Sequence, residues 1–153
     1  MAERLSAGEL CTRDVAFAER KMAVDDAARV MREEHVGSLV VVDETAAGRV
    51  PVGVLTDRDI VTSIIAKDLD PGSIRAEDAM STELVTALET ESILDVLETM
   101  RRKGVRRAPV VDGKGVLVGV LAVDDMLEVI AAELQRVVQV IQGSRTREES
   151  ERP

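Results

Sequence analysis

The sequence predicts an α/β (α+β) protein in which one unit, strand–helix–strand–strand–helix, occurs twice. Three observations carry that prediction. Residues 36–43 (VGSLVVVD) align with residues 105–112 (VRRAPVVD). The same offset of 69 residues sets Met31 on Met100 and Val15 on Leu84 without a gap. After the hairpin, longer in the first copy, VGVLTDRDI (52–60) aligns with VGVLAVDDM (118–126). Self-similarity of this kind marks two copies of one supersecondary unit, each unable to bury its apolar face alone.

Each element has a local reason. Ser6-x-x-Glu9 is a capping-box pattern for a short helical turn. Residues 15–18 (VAFA) read as a short strand. Over 24–34, Val24, Ala27, Ala28 and Met31 fall on one helix face, with Asp25 and Asp26 in the first turn, where carboxylates favour the dipole. Residues 38–42 (SLVVV) form a buried strand, 44–49 a loop, and 50–55 the partner strand. Residues 68–78 (DLDPGSIRAED) are polar, contain Pro71-Gly72, and read as a linker.

The pattern then repeats. Residues 83–86 (ELVT) are strand-like, and 92–103 form a helix with Ile93, Val96, Leu97 and Met100 on one face. Residues 108–111 are a strand, 112–115 a tight turn, 116–121 the returning strand, and a last helix runs from about Asp124 to Gln142. Gly143 is expected to stop that helix and leave a disordered charged tail. The expected organisation is a first repeat over 1–67, a linker over 68–78, a second repeat over 79–142 and the tail over 143–153.

Composition limits the function. The chain has 153 residues, 45% of them apolar, which is enough for a core. Phe17 is the sole aromatic, so a bound base must lie between aliphatic side chains rather than in an aromatic stack. That, with a net charge of −9, argues against nucleic acid as a partner. One cysteine, Cys11, makes neither an intrachain disulfide nor a zinc cluster. The sequence opens without a signal-peptide pattern, and no apolar run approaches transmembrane length. The expected location is cytoplasmic, with no membrane partner.

The most informative stretch is GVLTDRDI, Gly53 to Ile60. An apolar strand ends at Thr56, and Ile60, Val61, Ile64 and Ile65 then fall at helical spacing. A strand-to-helix corner presents unpaired backbone N–H groups and the positive end of the helix dipole, a setting suited to phosphate. Thr56 adds a hydroxyl there, and Asp59 a carboxylate able to accept from sugar hydroxyls. Thr-x-x-Asp is equally a capping box, with Thr56 as the cap and Asp59 reaching back to its N–H. Both readings fit these residues.

With VGSLVVVD, VGVLTDRDI and KGVRRAPVVDGKGVLVGVLAVDDM in register, the chain resembles a tandem pair of CBS domains, a Bateman module, over roughly residues 10–133. The resemblance implies two small sheets, each carrying two helices, packed sheet to sheet about a pseudo-two-fold axis. It implies two clefts that take adenosine-containing ligands such as AMP, ADP, ATP or S-adenosylmethionine, in a non-catalytic regulatory sensor. The family's G-x-x-T/S-x-x-D/N motif matches Gly53, Thr56 and Asp59, with Val54 and Arg58 between them. Carried onto this sequence, the opposite copy brings Glu83, Leu84 and Val85 to the base, and Arg106 and Arg107, with Pro109 beyond them, to the phosphates. Guanidinium forks suit phosphate oxygens. The same arginines, with Arg101, Arg102 and Lys103, also read as the solvated basic end of a helix.

The second copy departs from the motif. Gly119 and Asp125 are present, but Ala122 replaces the hydroxyl, and Gly37 and Ser38 stand where the other copy has Arg106 and Arg107. Its cleft, with Val15 and Ala16, is expected to bind phosphates poorly. Asp57, Asp59, Asp124 and Asp125 read as first-turn carboxylates rather than a metal site, and magnesium is expected only with a nucleotide. His35 and Cys11 show no catalytic arrangement, so no enzyme activity is expected. The rival to the sensor is a ligand-free adaptor that binds a protein partner. The apolar face of the last helix, with Met126, Leu127, Val129, Ile130, Leu134, Val137, Val138, Val140 and Ile141, exceeds what one half needs, and a homodimer is expected.

Overall fold

A computed structural model describes residues 5–152, so the extreme ends of the expected first repeat and tail lie outside the described residues. The first half contains α1 (Ala7–Leu10), β1 (Phe17–Glu19), α2 (Val24–Glu34), β2 (Ser38–Thr45), β3 (Gly48–Thr56) and the turn α3 (Asp57–Asp59), which widens into a π-helical stretch (Ile60–Ile65). A 3-10 turn (Pro71–Ser73) and α4 (Ala76–Ala79) follow. The second half contains β4 (Ala87–Leu88), α5 (Ile93–Lys103), β5 (Arg107–Val111), β6 (Leu117–Ala122) and α6 (Val123–Glu151). The mixed α+β fold with its repeat is therefore as the sequence predicts.

The two sheets are built alike. In each, a short parallel strand lies beside the first arm of a hairpin, in the orders β1-β2-β3 and β4-β5-β6. Even the hairpin bulges correspond, falling at Val41/Val42 and at Val110/Val111. The C-termini of α2 and α5 also match. Each closes on a left-handed residue, His35 (φ 55°) in one and Gly104 (φ 68°) in the other. His35 thus serves as a helix C-cap, a position that admits few non-glycine residues.

What joins the halves is an exchange of segments. The Ala7–Leu10 turn precedes the first half but packs on the second, where Ala7 is buried with Ile93, Val96, Met100 and Leu121. The Ala76–Ala79 turn precedes the second half but packs on the first, with Ala76 buried among Val24, Leu39, Leu55 and Ile64. The backbone bonds repeat in the same symmetry. Thr12 and Val120 exchange both N–H···O bonds at 2.9 Å, while Val54 and Ser81 exchange theirs at 3.1 and 2.9 Å. The polar stretch expected as a linker is thus partly a core element of the first half.

Two differences follow from this exchange. The sequence places short strands at 15–18 and 83–86, whereas the ladders begin at Phe17 and at Ala87. Thr12 and Ser81 are already committed to the opposite half, so the residues after them cross between sheets before any ladder can form. The second strand is shorter because of Pro109. In the first copy the Val40 N–H donates to the Ala16 carbonyl at 3.3 Å. Pro109 stands at the corresponding place and has no N–H, so the Val85 carbonyl lacks that partner.

A third difference lies at the C-terminus. Gly143 does not stop the last helix, and the tail expected to be disordered continues α6 to Glu151. A mid-helix glycine costs about 1 kcal/mol relative to alanine, a penalty rather than a stop, unless the chain turns left-handed there. Arg147 and Glu151, paired at 3.0 Å one turn apart, support the extension.

The exchange explains the motif glycines. A Cβ on Gly53 would lie 2.5 Å from Met80 Sδ and 2.8 Å from the Ser81 carbonyl. One on Gly119 would lie 2.6 Å from both Cys11 Sγ and the Thr12 carbonyl. Gly53→Ala is expected to cost about 1–3 kcal/mol in urea unfolding, the usual cost of overpacking. Gly113→Ala, with nothing within 4 Å, is expected to stay within about 0.5 kcal/mol of wild type.

Candidate functional site

The first corner is set by β3 running into α3. The Asp59 N–H donates to Thr56 Oγ1 and the Thr56 N–H donates to Asp59 Oδ2, both at 3.0 Å. The capping box is therefore formed. It engages one oxygen of Asp59 and leaves Oδ1 free among the described residues, and the Thr56 hydroxyl proton is likewise uncommitted. A carboxylate has about four acceptor positions, so the cap does not exhaust it.

The start of β2 lies against this corner. The Asp57 N–H donates to the Gly37 carbonyl at 2.9 Å, and Ser38 is the ladder partner of Thr56. Arg107 reaches in from the other half, its guanidinium donating to Ser38 Oγ at 3.2 Å. Ser38 and Arg107 occupy equivalent places in the two copies, so this contact sits where the pseudo-two-fold relates the sheets. Arg106 goes elsewhere. Neighbouring strand residues point to opposite faces, and Arg106 lies 3.7 Å from Asp124 at the second corner, with 83% of its side chain exposed. The structure thus brings Arg107, but not Arg106, toward Thr56 and Asp59. Arg58 is exposed on the same turn.

The Val54–Ser81 pairing delivers the crossing segment to the first corner. Beyond it, Glu83, Leu84 and Val85, with Thr86, wall a cavity of about 280 Å³ closed by Thr99, Lys103 and Val105. Leu84 and Val85 are half-buried and Glu83 is exposed. The sequence reading did not place Lys103 and Thr99 here. Their four-residue spacing puts them on one face of α5, a signal that becomes legible only once the crossing path is known. Gly53 and Pro109 are buried. Gly53 faces Met80 and Ser81, and Pro109 acts through the hydrogen bond it withholds from Val85.

The second corner repeats the backbone geometry without the hydroxyl. The Ala122 N–H donates to Asp125 Oδ2 at 3.0 Å, and the Val123 N–H donates to the Arg106 carbonyl at 2.9 Å. A second cavity, about 390 Å³, is lined by Arg13, Asp14, Val15, Phe17, Arg49 and residues 116–118. Ala16 is tied into the sheet through its carbonyl, and Gly37 and Ser38 belong to the first corner rather than this one. Of the residues expected at the second cleft this cavity contains Val15, and its wall includes neither Ala122 and Asp125 nor Gly37 and Ser38. Arg13 and Arg49 stand on the cavity wall, held by the Gly8 carbonyl at 2.8 Å and by Glu44 at 2.8 Å, with Arg49 also 4.0 Å above the Phe17 ring. Sequence alignment of the copies misses them because they come from the crossing segment and the longer first hairpin.

Other reactive groups are quiet. Burial raises the Cys11 thiol above its ordinary pKa, the opposite of an activated cysteine. Among the described residues, no three His, Cys, Asp or Glu side chains gather as a metal centre requires. No described helix is long and apolar enough to cross a membrane.

Comparison with known proteins agrees with this architecture. The CBS domain family matches residues 7–66 and 76–132. An uncharacterised protein of Methanopyrus kandleri is 34% identical over 125 residues, which are 82% of this chain and 62% of that one. The chain therefore spans less than two thirds of that relative's length. Among solved structures, the cytosolic domain of the Mg2+ channel MgtE in complex with ATP superposes with a TM-score of 0.70 at 29% identity, covering 83% of this chain and 49% of that one. The CBS domain pair of protein MJ0100, in complex with 5'-methylthioadenosine and S-adenosyl-L-methionine, superposes with a TM-score of 0.71 at 22% identity, over 84% and 97% of the two chains.

The cap itself is testable without any ligand. Thr56→Ala removes a side-chain acceptor and is expected to cost about 0.5–2 kcal/mol in urea unfolding, with cooperativity kept. Ala122→Thr, which supplies the missing hydroxyl at the second corner, is expected to stabilise by a similar amount in the same assay.

Proposed function

The chain belongs to the CBS domain family, and from that premise we propose that it is a regulatory module sensing an adenosine phosphate, AMP, ADP or ATP, at the first corner. The observation that carries this reading is the half-used capping box. Asp59 keeps Oδ1 to accept from ribose hydroxyls, and Thr56 keeps a proton to donate to a phosphate oxygen. Arg107 stands within reach of the same corner through Ser38. Leu84 and Val85 offer the aliphatic slot that a chain with one aromatic must use for a base. The Val85 carbonyl, freed by Pro109, is an acceptor suited to the exocyclic amine of adenine. Magnesium enters only as the companion of a di- or triphosphate.

The bound ATP of the Mg2+ channel domain supports this ligand class by likeness. In this reading the role is regulatory rather than catalytic, and the output passes to a regulated protein. Cytoplasmic location is part of the same reading. A ligand-free adaptor is the second reading, favoured by Ala122, which leaves one corner without the motif hydroxyl.

Calorimetry on protein stripped of carried-over nucleotide tests the sensor. Micromolar binding of at least one adenosine phosphate is expected, abolished by Asp59→Ala. No heat with AMP, ADP or ATP favours the adaptor. Arg107→Ala is expected to weaken phosphate-bearing ligands at least tenfold while leaving adenosine little changed, because the lost bonds are charge-assisted ones to phosphate. Arg106→Ala is expected to act more weakly than Arg107→Ala. Asp125→Ala is expected to leave the tighter event intact.

A further inference from the structure

The cavity of about 390 Å³ belongs to neither corner. The corners stand where β3 and β6 end, at Thr56 and Ala122, whereas this cavity lies where the same strands begin. Arg49 is seven residues before Thr56, roughly 23 Å along the strand at about 3.3 Å per residue. A Cβ on Gly48 would lie 2.8 Å from Val116 Cγ1, so the two halves touch at this end as well. Val15, Phe17 and residues 116–118 give the wall a half-buried apolar surface, and Arg13, Asp14 and Arg49 give it charge.

Both guanidiniums are fixed by contacts that use only part of their donors. Arg13 donates from Nη2 to the Gly8 carbonyl at 2.8 Å, and Arg49 donates from Nε to Glu44 at 2.8 Å. Each has five N–H donors, so both keep donors with no hydrogen-bond partner among the described residues. Their anchors lie in different halves. Gly8 is itself bonded to the Glu89 carbonyl of the second half, while Glu44 and Phe17, whose ring lies 4.0 Å from the Arg49 guanidinium, belong to the first sheet. Neither arginine is a requirement of the repeated scaffold. When the copies are aligned, Thr82 stands in place of Arg13 and Gly115 in place of Arg49.

We propose that this cavity binds a small aliphatic monocarboxylate, its carboxylate bridging Arg13 and Arg49 and its hydrocarbon body lying against Val15, Val116 and Val118. The wall selects that class. Two arginines less one aspartate leave a single positive charge, which matches a monoanion. Asp14 on the same wall repels a second carboxylate or a chain of phosphates. Guanidinium forks suit a carboxylate as they suit phosphate. An aromatic base finds no free stacking platform, since Phe17 is the one aromatic and Arg49 already covers its ring. The volume falls near the lower end of the range for ligand pockets, as a small molecule requires. A carboxylate held between these arginines ties the first hairpin to the crossing segment, and so favours the assembled junction from the end away from the corners. The site is independent of the nucleotide reading, because it is measured with no nucleotide present.

Titration of the full chain, labelled with nitrogen-15, with 4-methylpentanoate is the test. Amide resonances of Val15, Phe17, Leu117 and Val118 are expected to shift in one saturable process, with those of Thr56 and Asp59 unmoved. 4-Methylpentanamide, which keeps the shape without the charge, is expected to bind at least about tenfold more weakly, as are succinate and inorganic phosphate. Arg13→Gln and Arg49→Gln are each expected to weaken 4-methylpentanoate about tenfold. Asp14→Asn, at an exposed position, is expected to tighten it by removing the like charge. Asp59→Ala is expected to leave it unchanged. The proposal is overturned by no saturable shift, by shifts confined to Thr56 and Asp59, or by equal binding of the amide, succinate or phosphate. Unchanged affinity in both arginine variants, or weaker binding in Asp14→Asn, overturns it too.

Discussion

The fold depends on the exchange of the segments before each repeat. A unit of about 60 residues buries only about 60% of the surface its unfolded chain exposes and is marginal alone. Here each unit borrows a turn from in front of the other, Ala7–Leu10 for one and Ala76–Ala79 for its counterpart. The backbone pairs at Thr12–Val120 and Val54–Ser81 fix both borrowed segments. Neither half can complete its core while the other is unfolded, so the two form one cooperative structure.

The same constraint builds the clefts. A segment that pairs with β3 at Ser81 and joins the other sheet at Ala87 must cross the gap between halves, and its irregular middle walls a cavity with Thr99, Lys103 and Val105. The glycine of the motif belongs to this arrangement as much as to any ligand. Gly53 is where the borrowed segment touches β3 most closely, and Gly119 does the same opposite Cys11 and Thr12. Thr56 and Asp59 are different in kind. They hold the corner together and still keep hydrogen-bonding capacity directed outward, so cap and ligand site are compatible roles.

Much of this was legible from the residues. Period and patterning gave α2, α5, both hairpins and the repeat, because an amphipathic helix or a buried strand is a local property. Thr56 and Asp59 were legible as a corner for the same reason. What the residues hid was non-local. The borrowed turns read as a polar linker and a minor cap, since their burial depends on the opposite half. Arg106 and Arg107 looked alike in sequence, and only strand alternation sends Arg107 to Ser38 and Arg106 to Asp124. The helix beyond Gly143 was misread because a glycine inside a helix and a glycine ending one are the same letter. What differs is whether the chain turns left-handed, as it does at Gly104 and not at Gly143.

The departures from symmetry are what sets the two clefts apart. The core, the bulges, the borrowed turns and the corner backbones repeat almost bond for bond, so the scaffold itself does not distinguish the clefts. The differences are few: Thr56 against Ala122, Ser38 against Arg107, Val40 against Pro109, and a longer first hairpin carrying Arg49. Each alters hydrogen-bonding capacity or charge. On the proposed reading, a ligand at the first corner would touch β3 of one half and the crossing segment of the other. It would then bind the assembled pair and not the separated halves, and stabilise the whole by mass action. Under that proposal the chain would need no separate hinge, because the junction between halves is already the part of the fold on which both depend.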